Sequence, residues 1–179
     1  MSAELTQVIK LAQKGDRHAF HLLYQQHVSR VYAVCWRLLG DAQKAEDACQ
    51  EIFIKVWQRL SEFKGDSALG TWLHSIAART AIDLWRQDKR LHFADSEEVD
   101  NTADALQLES HQQVAAEARD LELAIQRLPA QAKAVFILFA IEGYQHTEIA
   151  TMLDIAEGSS KAQYHRARQL LRGFLDDNG

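Results

Sequence analysis

Residues that break helices are scarce in this chain of 179 residues, which contains one proline, Pro129, and eight glycines. Alanine, leucine, glutamine and glutamate, which all favour helix, are abundant. No segment shows the alternation of apolar and polar residues that is typical of a strand. These absences predict an all-α protein.

Long apolar runs are also missing. No stretch approaches the roughly 20 apolar residues of a transmembrane helix, and no signal peptide opens the sequence. We therefore expect a cytoplasmic protein without direct membrane insertion. The two cysteines, Cys35 and Cys49, fall within amphipathic helical patterns. Buried free thiols are the favoured interpretation, over a disulfide or a metal site.

Sequence motifs of common catalytic sites are absent as well. The chain has no phosphate-binding loop, no nucleophile elbow and no Cys-x-x-Cys pair. His18 and His21 lie three residues apart, but no further ligand accompanies them at metal-site spacing. We predict no catalytic residues, no metal site and no cofactor, and hence a protein that is not an enzyme.

Charge is distributed unevenly along the chain. The formal net charge is −5, but residues 1–91 carry +3, residues 92–118 carry −7, and residues 119–179 carry −1. Local surface charge controls the attraction of phosphates. The acidic middle segment therefore does not exclude DNA binding by the segments that flank it.

Apolar periodicity predicts helices over roughly 4–14, 17–39, 42–60, 70–90, 115–127, 130–142, 146–153 and 159–174. Gly-Asp pairs after the first, second and third helices mark helix ends followed by possible N-caps. We predict two small helical domains, 1–91 and 116–179, joined by an acidic linker at 92–115 that is at least partly disordered. All four tryptophans lie in the first half, which predicts an aromatic core there.

The last third of the chain contains a helix-turn-helix pattern whose second helix carries a run of cations. One face of that helix, at helical spacing, consists of Ser160, Tyr164, Ala167 and Leu171. A neighbouring face carries Lys161, His165, Arg166 and Arg172. No acid occurs between Gly158 and Leu175. A buried stripe beside a wide basic face is what a helix needs in order to enter a DNA major groove.

Two segments of the first domain carry further candidate surfaces. The helix at 42–60 has an apolar face, expected to include Trp57, and a second stripe formed by Asp47, Gln50, Glu51, Ile54 and Gln58. That stripe fits docking on another protein's helices, and a solvated polar face is the alternative. The loop at 63–70 leads into a helix with several cations and could cradle single-stranded DNA. Alternatively, Trp72 and Trp85 of that helix are simply core residues.

Taken together, these segments resemble the extracytoplasmic-function sigma factors of bacterial RNA polymerase. The resemblance covers about residues 5–90 and 117–174. It rests on Ala45 to Phe53 with Val56-Trp57, on Thr71-Trp72-Leu73 with Ala81-Ile82-Asp83, and on Leu128-Pro129, Glu148-Ile149-Ala150 and His165-Arg166-Ala167-Arg168. A helix-turn-helix alone is a weak signal, but three distinct motifs in the family's order and spacing are a strong one.

The resemblance implies a specificity subunit with three binding surfaces. The residues expected to bind core polymerase are Asp47, Gln50 and Glu51. Those expected to hold the melted minus-ten DNA are Phe63, Lys64, Ser67, Trp72, Arg79 and Arg86. Those expected to contact the minus-thirty-five DNA are Ser159, Lys161, Gln163, His165, Arg166 and Arg172. The implied partners are the bacterial RNA polymerase core, promoter DNA and an anti-sigma factor.

The sequence departs from the family's usual pattern at several positions. Arg79 stands where Asn is usual, Gln163 where Arg is usual, and Ser160 where Val or Ile is usual; we expect all three on or near DNA-facing surfaces, where they bear on the promoter sequence. In the helix-turn-helix, Asp154 replaces a common glycine, and Gln145 replaces the usual Ser or Thr cap, at a local cost of about 1 kcal/mol.

Two other classes of protein remain as alternatives. A helix-turn-helix regulator that acts without core polymerase would need a ligand pocket or phosphoacceptor domain in the first half. A structural helical module would bind no nucleic acid. The acidic linker, with Glu97, Glu98, Asp100 and Asp104, could occupy the RNA path of polymerase and hinder DNA binding by the isolated protein.

Overall fold

The computed structural model describes the backbone of residues 3–95 and 114–176, and the side chains of 4–89 and 119–176. Within these ranges the chain is helical and contains no strand. The α-helices are α1 Ala3–Gln13, α2 Arg17–Leu39, α3 Ala42–Arg59, α4 Leu69–Asp95, α5 Val114–Gln126, α6 Ala130–Phe136, α7 His146–Leu153 and α8 Glu157–Asp176. A 3₁₀ turn, Leu60–Glu62, follows α3, and a π-helical turn, Ile137–Ile141, continues α6. The prediction of an all-α fold is confirmed.

The chain divides into two compact units, residues 1–85 and 86–179. Helix α4 continues through Asp95 and α5 begins at Val114, so both ends of the predicted linker are helical. The acidic residues Glu97, Glu98, Asp100 and Asp104 lie outside the described residues, and the predicted boundaries at 91 and 116 stay predictions.

Helix boundaries in the first unit follow from local capping. The Asp16 carboxylate accepts from the Ala19 backbone N–H at 2.9 Å, and that of Asp41 accepts from Lys44 at 2.8 Å. Gly40 adopts a left-handed φ of 69°, and its N–H donates to the carbonyl of Trp36, which closes α2. The Gly-Asp pairs predicted as helix boundaries therefore act as such at the ends of α1 and α2.

The core of the first unit is mainly aliphatic, with two buried aromatic residues, Phe53 and Phe63. Helix α2 packs between α1 and α3, and the largest fully buried side chains there are Leu38, Ile52, Leu60, Ile82, Val31, Val34 and Val56. None of the four tryptophans is fully buried, and Trp57 is 37% exposed. The aromatic part of the core therefore consists of phenylalanines, and the tryptophans from which it was predicted are only partly buried. The thiols of Cys35 and Cys49 are buried and free, as predicted.

In the second unit α8 packs against α5, α6 and α7. Val135 and Leu138 are buried, whereas Phe136 and Phe139 are half-buried and pack on Tyr164 of α8. The guanidinium of Arg127 lies 4.2 Å from the ring centre of Phe174, which joins the end of α5 to the end of α8. Helix α8 is thus held along its length by three neighbouring helices.

Candidate nucleic-acid interface

Helices α7 and α8 form the predicted helix-turn-helix. Asp154 ends α7 in the left-handed conformation, with φ 56° and ψ 52°, so it performs the role for which glycine is usual. At the other end of α7, the Glu148 carboxylate accepts from the Gln145 backbone N–H at 2.8 Å. This reciprocal cap offsets part of the expected loss at Gln145.

A buried polar contact joins the beginnings of the two helices. Nδ1 of His146 lies 2.9 Å from Oγ of Ser160, and Ser160 is fully buried. The imidazole also stacks on Phe139 at 4.3 Å between ring centres. Ser160 belongs to the buried stripe predicted with Tyr164, Ala167 and Leu171, so it lies beneath the exposed surface of α8 rather than on it, and its hydroxyl bonds to His146.

The opposite side of α8 carries an exposed set of side chains, which we call the basic face. It consists of Ser159, Lys161, His165, Arg166 and Arg172, all exposed to solvent. Ala167 and Leu171 on the other side of the helix are buried. Helical periodicity therefore separates the cations from the core, and five of the six residues predicted to contact the minus-thirty-five DNA share one accessible surface.

Gln163, the sixth of these residues, is placed differently. Its Nε2 donates to Oε1 of Gln131 on α6 at 3.1 Å, and the residue is half-buried. Its own Oε1 is buried and has no partner among the described residues. In this arrangement Gln163 connects α8 to α6 rather than extending the basic face.

Helix α8 begins two residues earlier than predicted, which adds an acid to its first turn. The Glu157 carboxylate lies 2.6 Å from Nζ of Lys161, one turn further along the helix. The hydrogen bond from Lys161, and then its positive charge, lower the pKa of Glu157. Glu157 was not predicted as part of this surface, because it precedes the expected start of the helix at residue 159. The (i, i+4) spacing was the signal available.

The loop at 63–68 combines buried and exposed side chains. Phe63 is buried in a cluster with Leu60 and Leu69, and its ring packs on half-buried Trp72 at 5.4 Å. Lys64 and Ser67 of the loop are exposed. Phe63 thus anchors the loop, and the exposed stretch from Lys64 to Ala68 carries the two predicted DNA contacts, Lys64 and Ser67.

A side chain from α1 fixes where this loop begins. Nε2 of Gln13 donates to the carbonyl oxygens of Leu60, at 3.0 Å, and Phe63, at 2.8 Å. This role of Gln13 has no local signal in the sequence, because its partners lie 47 and 50 residues away. Two hydrogen bonds from one amide hold the backbone from which the loop projects.

The two predicted arginines of α4 have different surroundings. Arg79 is exposed on the first unit. Arg86 belongs to the second unit, where its Nη1 donates to the carbonyl oxygen of Met152 at 3.3 Å and its Nη2 lies 3.9 Å from the carboxylate of Asp154. Arg79 is therefore open to solvent, and Arg86 is engaged at the turn of the helix-turn-helix.

The predicted polymerase-binding stripe forms an exposed face on α3, which we call the docking face. Asp47 and Gln50 are exposed, and Glu51 is half-buried, with its carboxylate 2.7 Å from Nζ of Lys55. Ile54, 57% exposed, extends the face. The partly exposed Trp57, whose ring meets Phe20 edge-on at 4.7 Å, was expected to face inward. Large apolar side chains left in solvent beside acids are typical of a protein-binding surface.

Comparison with known proteins identifies the family. The profile for sigma-70 region 2 matches residues 23–91, and the profile for sigma-70 region 4 matches residues 118–171. The chain belongs to the extracytoplasmic-function (ECF) sigma factors of bacterial RNA polymerase. It therefore functions as a sigma factor, which directs promoter recognition and the initiation of transcription.

Several curated relatives align over nearly their whole length. The chain is 30% identical to the ECF RNA polymerase sigma factor SigW of Bacillus subtilis over 182 residues, covering 94% of this chain and 95% of the relative. It is 31% identical to the RNA polymerase sigma-H factor of Pseudomonas aeruginosa over 185 residues, covering 92% and 90%. The ECF RNA polymerase sigma-E factor of Escherichia coli K12 is 30% identical over 182 residues, covering 96% and 95%.

Two solved structures show the same fold. The sigma factor RpoE of Bartonella quintana, crystallised with the anti-sigma factor NepR, matches with a TM-score of 0.60 and 24% identity, over 88% of this chain and 96% of that one. CnrH, in complex with the cytosolic domain of CnrY, matches with a TM-score of 0.53 and 22% identity, over 96% and 97%.

Among the described helices of this chain, none is both long and apolar enough to cross a membrane.

Proposed function

We propose that α8 recognises the minus-thirty-five promoter element through its basic face. The observation that carries this proposal is the exposure of Lys161, His165 and Arg166 on one side of a helix whose other side is held in the core. Arginine and lysine donate to guanine O6 and N7 in the major groove, and both also pair with phosphates. The second helix of a helix-turn-helix enters that groove.

Arg166→Ala tests this role, because Arg166 is exposed on the basic face. If Arg166 reads a guanine, the variant should lose about 1–3 kcal/mol of promoter binding and relax the preference at one base pair. Binding of a promoter duplex and its single-base variants measures both effects. An unchanged affinity would remove Arg166 from the interface, and a uniform loss over all sequences would reassign it to a phosphate.

The loop at 63–68 and the beginning of α4 are the proposed site for the melted minus-ten strand. Lys64 and Arg79 would contact phosphates, and Ser67 could donate to a base or phosphate. Phe63 would contribute by supporting the loop from below, given its buried ring. Replacing Lys64 with Ala should slow open-complex formation while closed-complex binding persists, and equal melting measured by permanganate footprinting would exclude this role.

The docking face of α3 is the proposed contact with core polymerase. Asp47, Gln50 and Glu51 supply polar contacts at its centre, and Ile54 with Trp57 supplies apolar area. With polymerase bound there, the two DNA-contacting regions act as parts of a non-catalytic subunit in the cytoplasm, where transcription takes place. A contact with core polymerase is expected of a sigma factor and not of a regulator that acts without polymerase.

An anti-sigma factor is the proposed inhibitory partner. RpoE of Bartonella quintana was crystallised with an anti-sigma factor, and CnrH is in complex with the cytosolic domain of CnrY. Purification of the tagged chain from its own cells, followed by mass spectrometry, should recover a second protein in place of polymerase while the factor is inactive. Recovery with polymerase alone under every growth condition would contradict this.

A further inference from the structure

The first turn of α8 holds a carboxylate beside the cations that are proposed to meet DNA. Glu157 is exposed, and it lies 2.6 Å from Nζ of Lys161. Its charge is also favoured by the N-terminal end of the helix macrodipole. The contact with Lys161 and the macrodipole both favour the ionised carboxylate, and the contact keeps that carboxylate next to the ammonium group.

This arrangement matters because a DNA phosphate and the Glu157 carboxylate compete for one ammonium group. The carboxylate is tethered one turn away, whereas a phosphate reaches Lys161 only when DNA docks. Sequence-independent binding depends on the number of phosphates that cations neutralise. Contacts to base edges, by contrast, depend on the geometry of side chains such as Arg166.

We propose that Glu157 weakens the sequence-independent binding of α8 to DNA, because it pairs with Lys161 and competes with DNA phosphates for that ammonium group. The inference rests on the proposed function of α8 as the DNA-contacting helix. Non-specific DNA is in vast excess in a cell, so weaker sequence-independent binding leaves a larger share of the protein unbound to such DNA.

The experiment measures binding of the full-length chain to a short random-sequence DNA duplex as a function of salt. The variants are E157Q, K161Q and the double variant E157Q/K161Q. D176N is the matched control, because it removes one exposed carboxylate at the other end of the same helix. R166A is included to test whether α8 binds the DNA at all.

E157Q should bind more tightly and depend more steeply on salt, because freeing one phosphate contact changes the log–log slope by about 0.9. Between about 50 and 200 mM salt, its affinity should fall about threefold more than that of the wild type. In the K161Q background the same change should have no effect on the slope, and D176N should resemble the wild type.

Three results would overturn the inference alone. The first is an unchanged affinity for E157Q while R166A binds more weakly than the wild type. The second is an equal gain for E157Q and D176N, which would show a general effect of charge. The third is a gain by E157Q that persists without Lys161. If instead R166A binds as the wild type does and E157Q gains nothing, α8 is not the DNA-contacting helix, and the proposed function of α8 fails with the inference.

Discussion

The contact between His146 and Ser160 links the two helices of the helix-turn-helix through one polar pair. Serine at position 160 departs from the apolar residue usual in the family, and the structure accounts for it by placing His146 within 2.9 Å. The structure likewise accounts for Asp154, which replaces a common glycine, since a short polar side chain tolerates the left-handed conformation that the turn requires. The tolerance of Asp154 could be predicted from sequence, but the pairing of Ser160 could not, because it depends on how α7 crosses α8.

Ser160→Ala should therefore loosen the helix-turn-helix. Removing the hydroxyl leaves the His146 nitrogen without its buried partner, at a cost of about 1 kcal/mol. Hydrogen exchange of the α7 and α8 amides should become about fivefold faster, provided that these amides exchange through opening of the second unit. Ser159→Ala, at the exposed neighbouring position, is the control. Equal protection in both variants would show that the contact contributes nothing.

Cys35 predicts a pH dependence for the first unit. The pKa of this thiol is raised from 9.0 to about 12, and burial is the largest cause of the increase. Below pH 9 the thiol is protonated in the folded and unfolded chains alike, so this contribution is fully present there. Between pH 9 and about 12 only the unfolded chain releases the proton, so stability falls by up to about 1.4 kcal/mol per pH unit.

Urea unfolding followed by tryptophan fluorescence measures this effect, because all four tryptophans lie in the first unit. The difference in stability between pH 8 and pH 10 should be larger for the wild type than for Cys35→Ala. The same pH dependence in both proteins would mean that Cys35 titrates normally in the folded state.

At the scale of elements, helix positions follow closely from the periodicity of apolar residues. Helix α2 and the first helix of the helix-turn-helix have the predicted bounds, 17–39 and 146–153. Helix α8 begins two residues before its predicted start at residue 159. For that reason Glu157 was not predicted to lie in its first turn. The loop at 63–68 shows a different limit, because its support from Gln13 is a long-range contact that no local pattern encodes.

Gln13→Ala should weaken the attachment of this loop. The substitution leaves two partly buried carbonyl oxygens without their donor, which costs about 1–3 kcal/mol. Trp72 packs on Phe63, so the tryptophan fluorescence of the variant should change. The urea midpoint of unfolding, followed by that fluorescence, should fall. Gln7→Ala, at an exposed position of the same helix, should leave both unchanged. A normal midpoint for Gln13→Ala would show that packing of Phe63 alone holds the loop.

At the scale of the whole molecule, two helical units carry separate exposed surfaces, for which we propose separate tasks. The first unit presents the docking face and the loop at 63–68, and the second presents the basic face of α8. The order of these surfaces along the chain is what made the family recognisable from sequence. The tryptophans are less buried than predicted, because composition does not show whether a large ring lies at the centre or at the margin of a unit.

The double variant Gln50→Ala with Glu51→Ala should bind core polymerase more weakly, because both changes remove polar contacts from the docking face. Its helical content should equal that of the wild type, since alanine favours helix. A pull-down with core polymerase, with circular dichroism as the folding control, measures both. Retained binding would place the polymerase contact elsewhere.

Run-off transcription with bacterial core polymerase over a promoter library tests the central claim most directly. The account predicts that the purified chain directs initiation at defined start sites that share upstream minus-ten and minus-thirty-five elements, and that Arg166→Ala lowers the yield. Transcripts that do not depend on the chain, or no initiation from any promoter by chain freed of inhibitors, would contradict it.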